Sequence, residues 1–192
     1  MKYHAIVADP PWPYPGGFNG WGSRRPLPYQ SMSIDAICAL PVAELLEREG
    51  YLFLWTTQRH MEAGFQVVRA WRCVPKQILT WCKQPMGSGL GGMFATTTEF
   101  IIVAQAVGPA GKSHKRTTTG VRVPTSWFEW RRPYDGRGKP MHSAKPEGLQ
   151  DLVEQIVPGP YLEMFARRQR LGWDTYGDQA LCHVDLKDAS RG

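Results

Sequence analysis

The sequence predicts an α/β domain: a mixed, mostly parallel sheet with helices on both faces. Three observations predict it. Short β-branched or aromatic runs alternate with stretches of helical period, those runs are apolar throughout rather than alternating, as strands buried on both faces are, and 192 residues suit one domain of ordinary size.

In chain order, Tyr3 to Ala8 (YHAIVA) is too short and too β-branched for a helix, and it stops at Asp9-Pro10-Pro11, where two backbone donors are missing. Residues 13–32 are crowded with glycine, proline and aromatics and have no period, which predicts a lid. Ser33 and Asp35 offer cap chemistry. Val42, Leu45 and Leu46 then follow Pro41 at helical spacing, and Gly50 reads as the helix exit. Tyr51 to Trp55 is a second strand, and Met61, Phe65, Val68 and Trp71 mark one face of a helix. Lys76 to Cys82 and Glu99 to Ala106 read as a hairpin across a glycine-rich stretch. Residues 107–141 exceed the length of an idle loop and are taken as functional or mobile. A helix opens at Pro146 and runs to Val157, a strand covers Tyr161 to Phe165, and Trp173 to Tyr176 is a short last strand. This gives one domain over residues 1–180, with 181–192 as a tail.

Composition narrows the function. Lys+Arg 23 against Asp+Glu 17 gives +6, which favours an anionic partner such as nucleic acid. Cys38, Cys73, Cys82 and Cys182 lack structural-zinc spacing, and the five histidines show no ligand spacing, so no metal is expected. The cysteine usage, the absence of an export signal and of 18 consecutive apolar residues predict a cytoplasmic chain with no membrane span.

The chemistry is expected at Asp9-Pro10-Pro11-Trp12, because ligands of open α/β sheets gather where strands end. A carboxylate and a proline-stiffened run of carbonyls offer acceptors without competing amide donors, which suits a planar amine, and Trp12 offers a face for a base. Read structurally, the same residues merely end a strand and cap a turn. Tyr14, Trp21, Arg24 and Arg25 in the lid, with Lys112, Lys115 and Arg116 in the long loop, pair aromatic with basic side chains as a nucleic-acid strand requires. Trp55, Trp71, Trp81 and Trp130 are expected in packing.

Taken with LFLWTT (Leu52 to Thr57), ILTWCKQ, TEFIIVA, HSAKP (His142 to Pro146), YLEMFARR (Tyr161 to Arg168) and GWDTYGDQ (Gly172 to Gln179), Asp9 to Trp12 makes the chain resemble the DPPW branch of the adenine N(6)-specific methyltransferases. That family includes the catalytic subunit of the eukaryotic mRNA adenosine methyltransferase and bacterial and phage DNA enzymes. The resemblance implies a permuted Rossmann-like fold, S-adenosylmethionine as cofactor, and transfer of its methyl group to the exocyclic amine of adenine in nucleic acid, with DNA favoured and RNA the alternative. It implies that Asp9 and the Pro10 carbonyl accept from the amine. Lys145 is placed near the methionine carboxylate and Asp9 near the methionine ammonium, while Glu163, Phe165, Arg167, Asp178 and Gln179 fall along the adenosyl part. Asp178 stands where the family often has Asn, Ala95 where it commonly has Arg, and only eight residues precede Asp9, so the sheet is either shorter or filled at that edge by another element. A Ser-Pro-Pro motif would suit a cytosine amine instead. The remaining alternatives are a catalytically inactive nucleic-acid-binding subunit of this fold, and recognition completed by a homodimer or partner subunit.

Overall fold

The computed structural model describes residues 2–14, 30–83, 93–107, 118–141, 143–184 and 186. Seven strands form one sheet in the order β5-β3-β4-β2-β1-β6-β7. They are β1 (Tyr3–Ala8), β2 (Leu46–Thr56), β3 (Cys73–Cys82), β4 (Thr98–Ala106), β5 (Trp127–Phe128), β6 (Tyr161–Met164) and β7 (Trp173–Tyr176). β1 pairs in parallel with β2 and β6, β6 with β7, and β3 with β5, whereas β4 is antiparallel to both β2 and β3. β4 therefore runs against the other six.

Alternation along the strands splits the core in two. Ile6, Ala8, Leu52, Leu54, Ile102 and Leu162 face the side covered by α1 (Ile34–Cys38), α2 (Val42–Leu45) and α3 (Met61–Ala70). Ala5, Val7, Phe53, Trp55 and Ile101 face α4 (Gly148–Ile156), which buries Leu149, Leu152 and Val153 against them. Each large side chain so buried contributes roughly 1.5–3 kcal/mol. Helices thus cover both faces, as the apolar strands required.

Local chemistry accounts for the ends of these elements. The Ser33 hydroxyl accepts from the Ala36 amide at 3.1 Å and caps α1, and the Trp71 indole donates to the Ile37 carbonyl at 3.0 Å, tying α3 to α1. The helix expected to run from Pro41 to Gly50 stops at Leu45, and β2 begins at once. Gly50 is a strand residue. A Cβ there would come within 2.9 Å of the Glu47 carbonyl and 3.1 Å of the His4 carbonyl, so glycine is needed for close approach rather than for a helix exit. Glu49 at φ 73° and a register shift between Tyr3 and Ala5 mark the irregularity. In α3 the fully buried positions are Gly64, Val67 and Val68, with Trp71 just beyond, and the expected Met61 and Phe65 are only partly buried. β3 starts at Cys73, three residues before the expected Lys76.

β3 and β4 form the expected antiparallel pair. Within 118–141, read from sequence as functional or mobile, the structure places β5 on the edge of β3, lets the Thr119 hydroxyl donate to the Gln155 carbonyl at 2.6 Å, and receives the Trp81 indole N–H on the Trp130 carbonyl at 2.7 Å. These contacts hold this part of the loop to the sheet edge and to α4, while none of its residues is buried. Trp55, Trp71 and Trp81 are buried, as expected. The chain after residue 180 does not begin as a free tail. The Thr175 hydroxyl donates to the Leu181 carbonyl, the His183 amide donates to the Thr175 carbonyl at 2.8 Å, and Leu186 joins the core. Among the described residues no helix is long and apolar enough to cross a membrane.

Candidate active site

Because β1, β2, β6 and β7 run in parallel, their carboxyl ends lie side by side, and the residues just past each end line one cleft of about 280 Å³: Asp9 after β1, Thr57 after β2, Phe165 after β6 and Gly177 after β7. β4 enters from the same end and adds Glu99. This is where an open sheet of this kind holds its ligand.

At its centre is a chain of charges. Lys145 Nζ donates to Asp9 Oδ2 at 2.9 Å and lies 3.3 Å from Glu99 Oε2, while Lys83 Nζ is 2.8 Å from Glu99 Oε1. Lys145 also sits 5.5 Å from the centre of the Trp55 ring, a contact that favours its charge. Burial opposes the charged form of Lys145, but the two carboxylates overcome it and hold the ammonium well above the ordinary lysine range. For Asp9, burial outweighs the pull of Lys145 and pushes the carboxyl up. Glu99 is pulled the other way: burial raises it, but two lysines together bring it below the ordinary range.

Asp9 is followed by Pro10, Pro11, Trp12 and Pro13, so three of these four residues have no amide hydrogen and the segment cannot continue the sheet. Its carbonyls become acceptors instead. The Pro10 carbonyl takes the Trp12 N–H at 2.8 Å and the Pro11 carbonyl takes the Met32 N–H at 2.9 Å, which leaves each oxygen one further lone pair.

On the opposite wall, Phe165 has φ 61°, a left-handed conformation rare outside glycine, and for that reason β6 ends at Met164 instead of the expected Phe165. A Cβ on Gly177 would fall on the Ala166 backbone, whose amide donates to the Tyr176 carbonyl at 2.9 Å. Gly177 lets the two segments touch, and the next two residues, Asp178 and Gln179, line the cleft.

Of the residues singled out in the sequence, Asp9, Pro10, Pro11, Trp12, Tyr14, Lys145, Phe165, Arg167, Asp178 and Gln179 all line this cleft. Trp21, Arg24, Arg25, Lys112, Lys115 and Arg116 lie outside the described residues. Two expectations need correction. Trp12 is 4 % exposed, its indole donates to the Trp55 carbonyl at 3.1 Å, and its ring stacks on His60; it props the cleft wall and does not offer an open face to a base. Lys145 lines the cleft, as expected, with its ammonium shared between Asp9 and Glu99. Glu163 does not line the cleft: strand alternation puts Leu162 and Met164 on the α1–α3 side and turns Glu163 towards Gln150 of α4, where burial raises its carboxyl.

The basic turn after β6 divides. Arg170 binds Glu154 at 2.9 Å and Asp151 at 2.6 Å, and Arg168 binds Glu147 at 3.0 Å, all against α4 or the residue before it, while Arg167 faces the cleft and acts on Asp9. Sequence reasoning missed Glu99 and His60. A lone carboxylate at the start of an apolar strand was the available signal for Glu99; nothing in the sequence marked His60.

A sulfonium cofactor bearing an amino acid at one end and an adenosine at the other matches this donor set. The acidic Asp9 lies at one side, the aromatic Phe165 follows β6, and Asp178 and Gln179 supply polar groups that can meet hydroxyls and a base on the shelf that Gly177 makes possible.

The MT-A70 family model matches residues 3–179. The chain is similar to the type II methyltransferase M.MunI of a Mycoplasma species (26 % identical over 194 residues, 92 % of this chain and 77 % of that protein). It is similar to the human N(6)-adenosine-methyltransferase catalytic subunit METTL3 (26 % over 186 residues, 93 % and 28 %) and to the N6-methyladenosine RNA methyltransferase MTA1 of Pyricularia oryzae (27 % over 201 residues, 94 % and 47 %). It thus spans less than half of either eukaryotic relative. With a family model covering the sheet, the proline-stiffened end of β1 and every described wall of the cleft, the chain belongs to the MT-A70 family.

Proposed function

We propose that this chain transfers a methyl group from S-adenosylmethionine to the exocyclic N(6) amine of adenine in nucleic acid, with DNA favoured. The observation that carries the reading is the convergence of four parallel strand ends on one cleft centred on the Asp9–Lys145–Glu99 chain.

Adenine's amine is a poor nucleophile because its lone pair is delocalised into the ring. Asp9 Oδ2 accepts from Lys145, and the other carboxylate oxygen, Oδ1, is the atom we assign to one amine hydrogen. The second lone pair of the Pro10 carbonyl takes the other. Accepting both hydrogens draws the nitrogen towards a tetrahedral form whose lone pair points out of the ring plane. Lys145 and Glu99 keep the carboxylate in place, and such positioning supplies up to roughly 7–11 kcal/mol in favourable cases. When bound, the cofactor supplies the activated methyl group; Asp178, Gln179 and Phe165 are the residues that would hold its adenosyl part and Asp9 its ammonium. A paired base cannot reach this cleft, so the target adenine is flipped or single-stranded. Arg167 lines the cleft among the residues that would meet the adenosyl part, and Arg59, 5.8 Å from the Tyr14 ring, provides a cation for the phosphates beside the target base.

DNA is favoured because the chain spans 77 % of the type II methyltransferase, a class that modifies DNA, but 28 % and 47 % of the two adenosine enzymes. A homodimer or partner subunit that completes recognition belongs to the same reading, supported by Met93 and Phe94, 92 % and 81 % exposed just ahead of Glu99. The test is transfer of labelled methyl to single-stranded DNA and RNA of identical sequence offered together. Label on DNA alone supports the proposal, label on RNA alone reverses the preference, and binding of both without transfer places the chain among inactive binding subunits.

A further inference from the structure

His60 lies in the single turn of 3-10 helix Gln58–His60 between β2 and α3, and its side chain meets three consecutive residues of the segment that leaves Asp9. The ring stacks on Trp12 with centroids 5.5 Å apart and planes within 15°, and it stands edge-on to Tyr14 at 4.8 Å and 86°. Nε2 lies 2.9 Å from the Pro13 carbonyl oxygen. A carbonyl only accepts, so Nε2 carries the hydrogen. Nδ1 is then a bare lone pair, and the Thr57 hydroxyl 3.1 Å away donates to it. One neutral tautomer satisfies both contacts.

The segment depends on this grip. Pro10, Pro11 and Pro13 have no amide hydrogen, so the backbone offers few donors with which to anchor itself. The Pro13 carbonyl is held by His60, and both Tyr14 and Thr57 line the cleft beside Asp9.

We propose that His60 is a positioning residue for methyl transfer: by gripping Trp12, Pro13 and Tyr14 in its neutral form, it fixes the wall of the cleft that the target adenine must enter. The inference rests on the methyltransferase reading above. Protonation undoes the grip. It would force the Thr57 hydroxyl to turn and would place a full charge on a ring that is 7 % exposed. Burial already holds the ring below the ordinary histidine range, and Arg59, the adjacent cation, opposes the charged form as well; the Pro13 carbonyl favours it but is outweighed. Around it, the segment after β1 contributes an indole, a carbonyl and a phenol, and the end of β2 a hydroxyl.

The test is single-turnover methyl transfer to adenine-containing DNA and RNA oligonucleotides between pH 5 and 8.5 for the wild type, His60→Gln and His60→Ala, with S-adenosylmethionine affinity measured by calorimetry. A wall displaced by about 1 Å lowers transfer on the order of a hundredfold. His60→Ala should show a loss of that order with cofactor affinity within about twofold of wild type. His60→Gln, whose amide can donate to Pro13 and accept from Thr57, should recover most of the rate. The wild-type rate should also fall with acid at a pH below the ordinary histidine value of about 6.5, since burial lowers the ring, and the Gln variant should lose that part of the fall and keep only the limb that protonation of Asp9 gives both proteins. Wild-type rates in both variants, an equal loss of cofactor affinity, or the same acid limb in His60→Gln would each overturn the inference. If His60→Ala fails to fold, the pH profile of the Gln variant alone decides. A wild type that transfers nothing at any pH refutes the methyltransferase reading itself, and this inference with it.

Discussion

Replacing Lys145 with methionine removes the one cation shared by Asp9 and Glu99 and keeps most of the side-chain volume. Stripping one partner from a buried ion pair lowers stability by about 3–5 kcal/mol, because the other charge is left uncompensated. Two features reduce that here. Glu99 retains Lys83 at 2.8 Å, and the Asp9 side chain is 27 % exposed to the cleft. The expected loss is therefore about 2–3 kcal/mol, or roughly 4–12 °C in Tm for a domain of this size. The loss should depend on pH. Burial already raises the folded Asp9 carboxyl, so Asp9 withdraws stability as pH rises past its unfolded value of about 3.9. Without Lys145 that upward push loses its main opponent, and the deficit must be larger at pH 8 than at pH 5. Lys145 itself is charged in both states across this interval. Thermal melts of both proteins at the two pH values read this directly. A variant that melts with the wild type, or whose deficit is the same at pH 5 and pH 8, would refute the assignment of Lys145 as the keeper of the Asp9 charge.

Other outcomes follow from the same geometry. Gly177→Ala drives a Cβ into the Ala166 backbone; overpacking of this kind amounts to about 1–3 kcal/mol, and because it displaces the shelf bearing Asp178 and Gln179, S-adenosylmethionine affinity measured by calorimetry should fall roughly tenfold. Trp12→Phe strands the Trp55 carbonyl, which the indole now satisfies, and should lower stability by about 1–3 kcal/mol in a denaturant titration. An unchanged midpoint together with weaker nucleic-acid binding would put Trp12 on the substrate after all.

Much of this was legible from the chain. YHAIVA followed by Asp-Pro-Pro could only be a strand that stops, and EFIIVA could only be a buried one. What stayed hidden are contacts between segments far apart in sequence. Gly50 looked like a helix exit because a glycine after a helical stripe usually is one; that it serves a strand depends on the approach of Leu46, Glu47 and the His4 carbonyl. Trp12 looked like a base platform because the carbonyl of Trp55 and the ring of His60 lie more than forty positions away. Lys145 was placed at the cleft from its motif, yet its sharing with Glu99 is made by the meeting of β4 with the turn before α4. Glu163 misled for a simpler reason: a motif fixes sequence position, but strand alternation fixes the face.

The most direct measurement is mass spectrometry of nucleosides after S-adenosylmethionine and mixed DNA and RNA are incubated with the wild type and with Asp9→Asn. The account predicts N(6)-methyladenine from the wild type, and from Asp9→Asn a loss of several orders of magnitude in transfer that exceeds its loss of cofactor affinity measured by calorimetry. N(6)-methyladenine formed equally by Asp9→Asn, or a methylated product on another base, would contradict it.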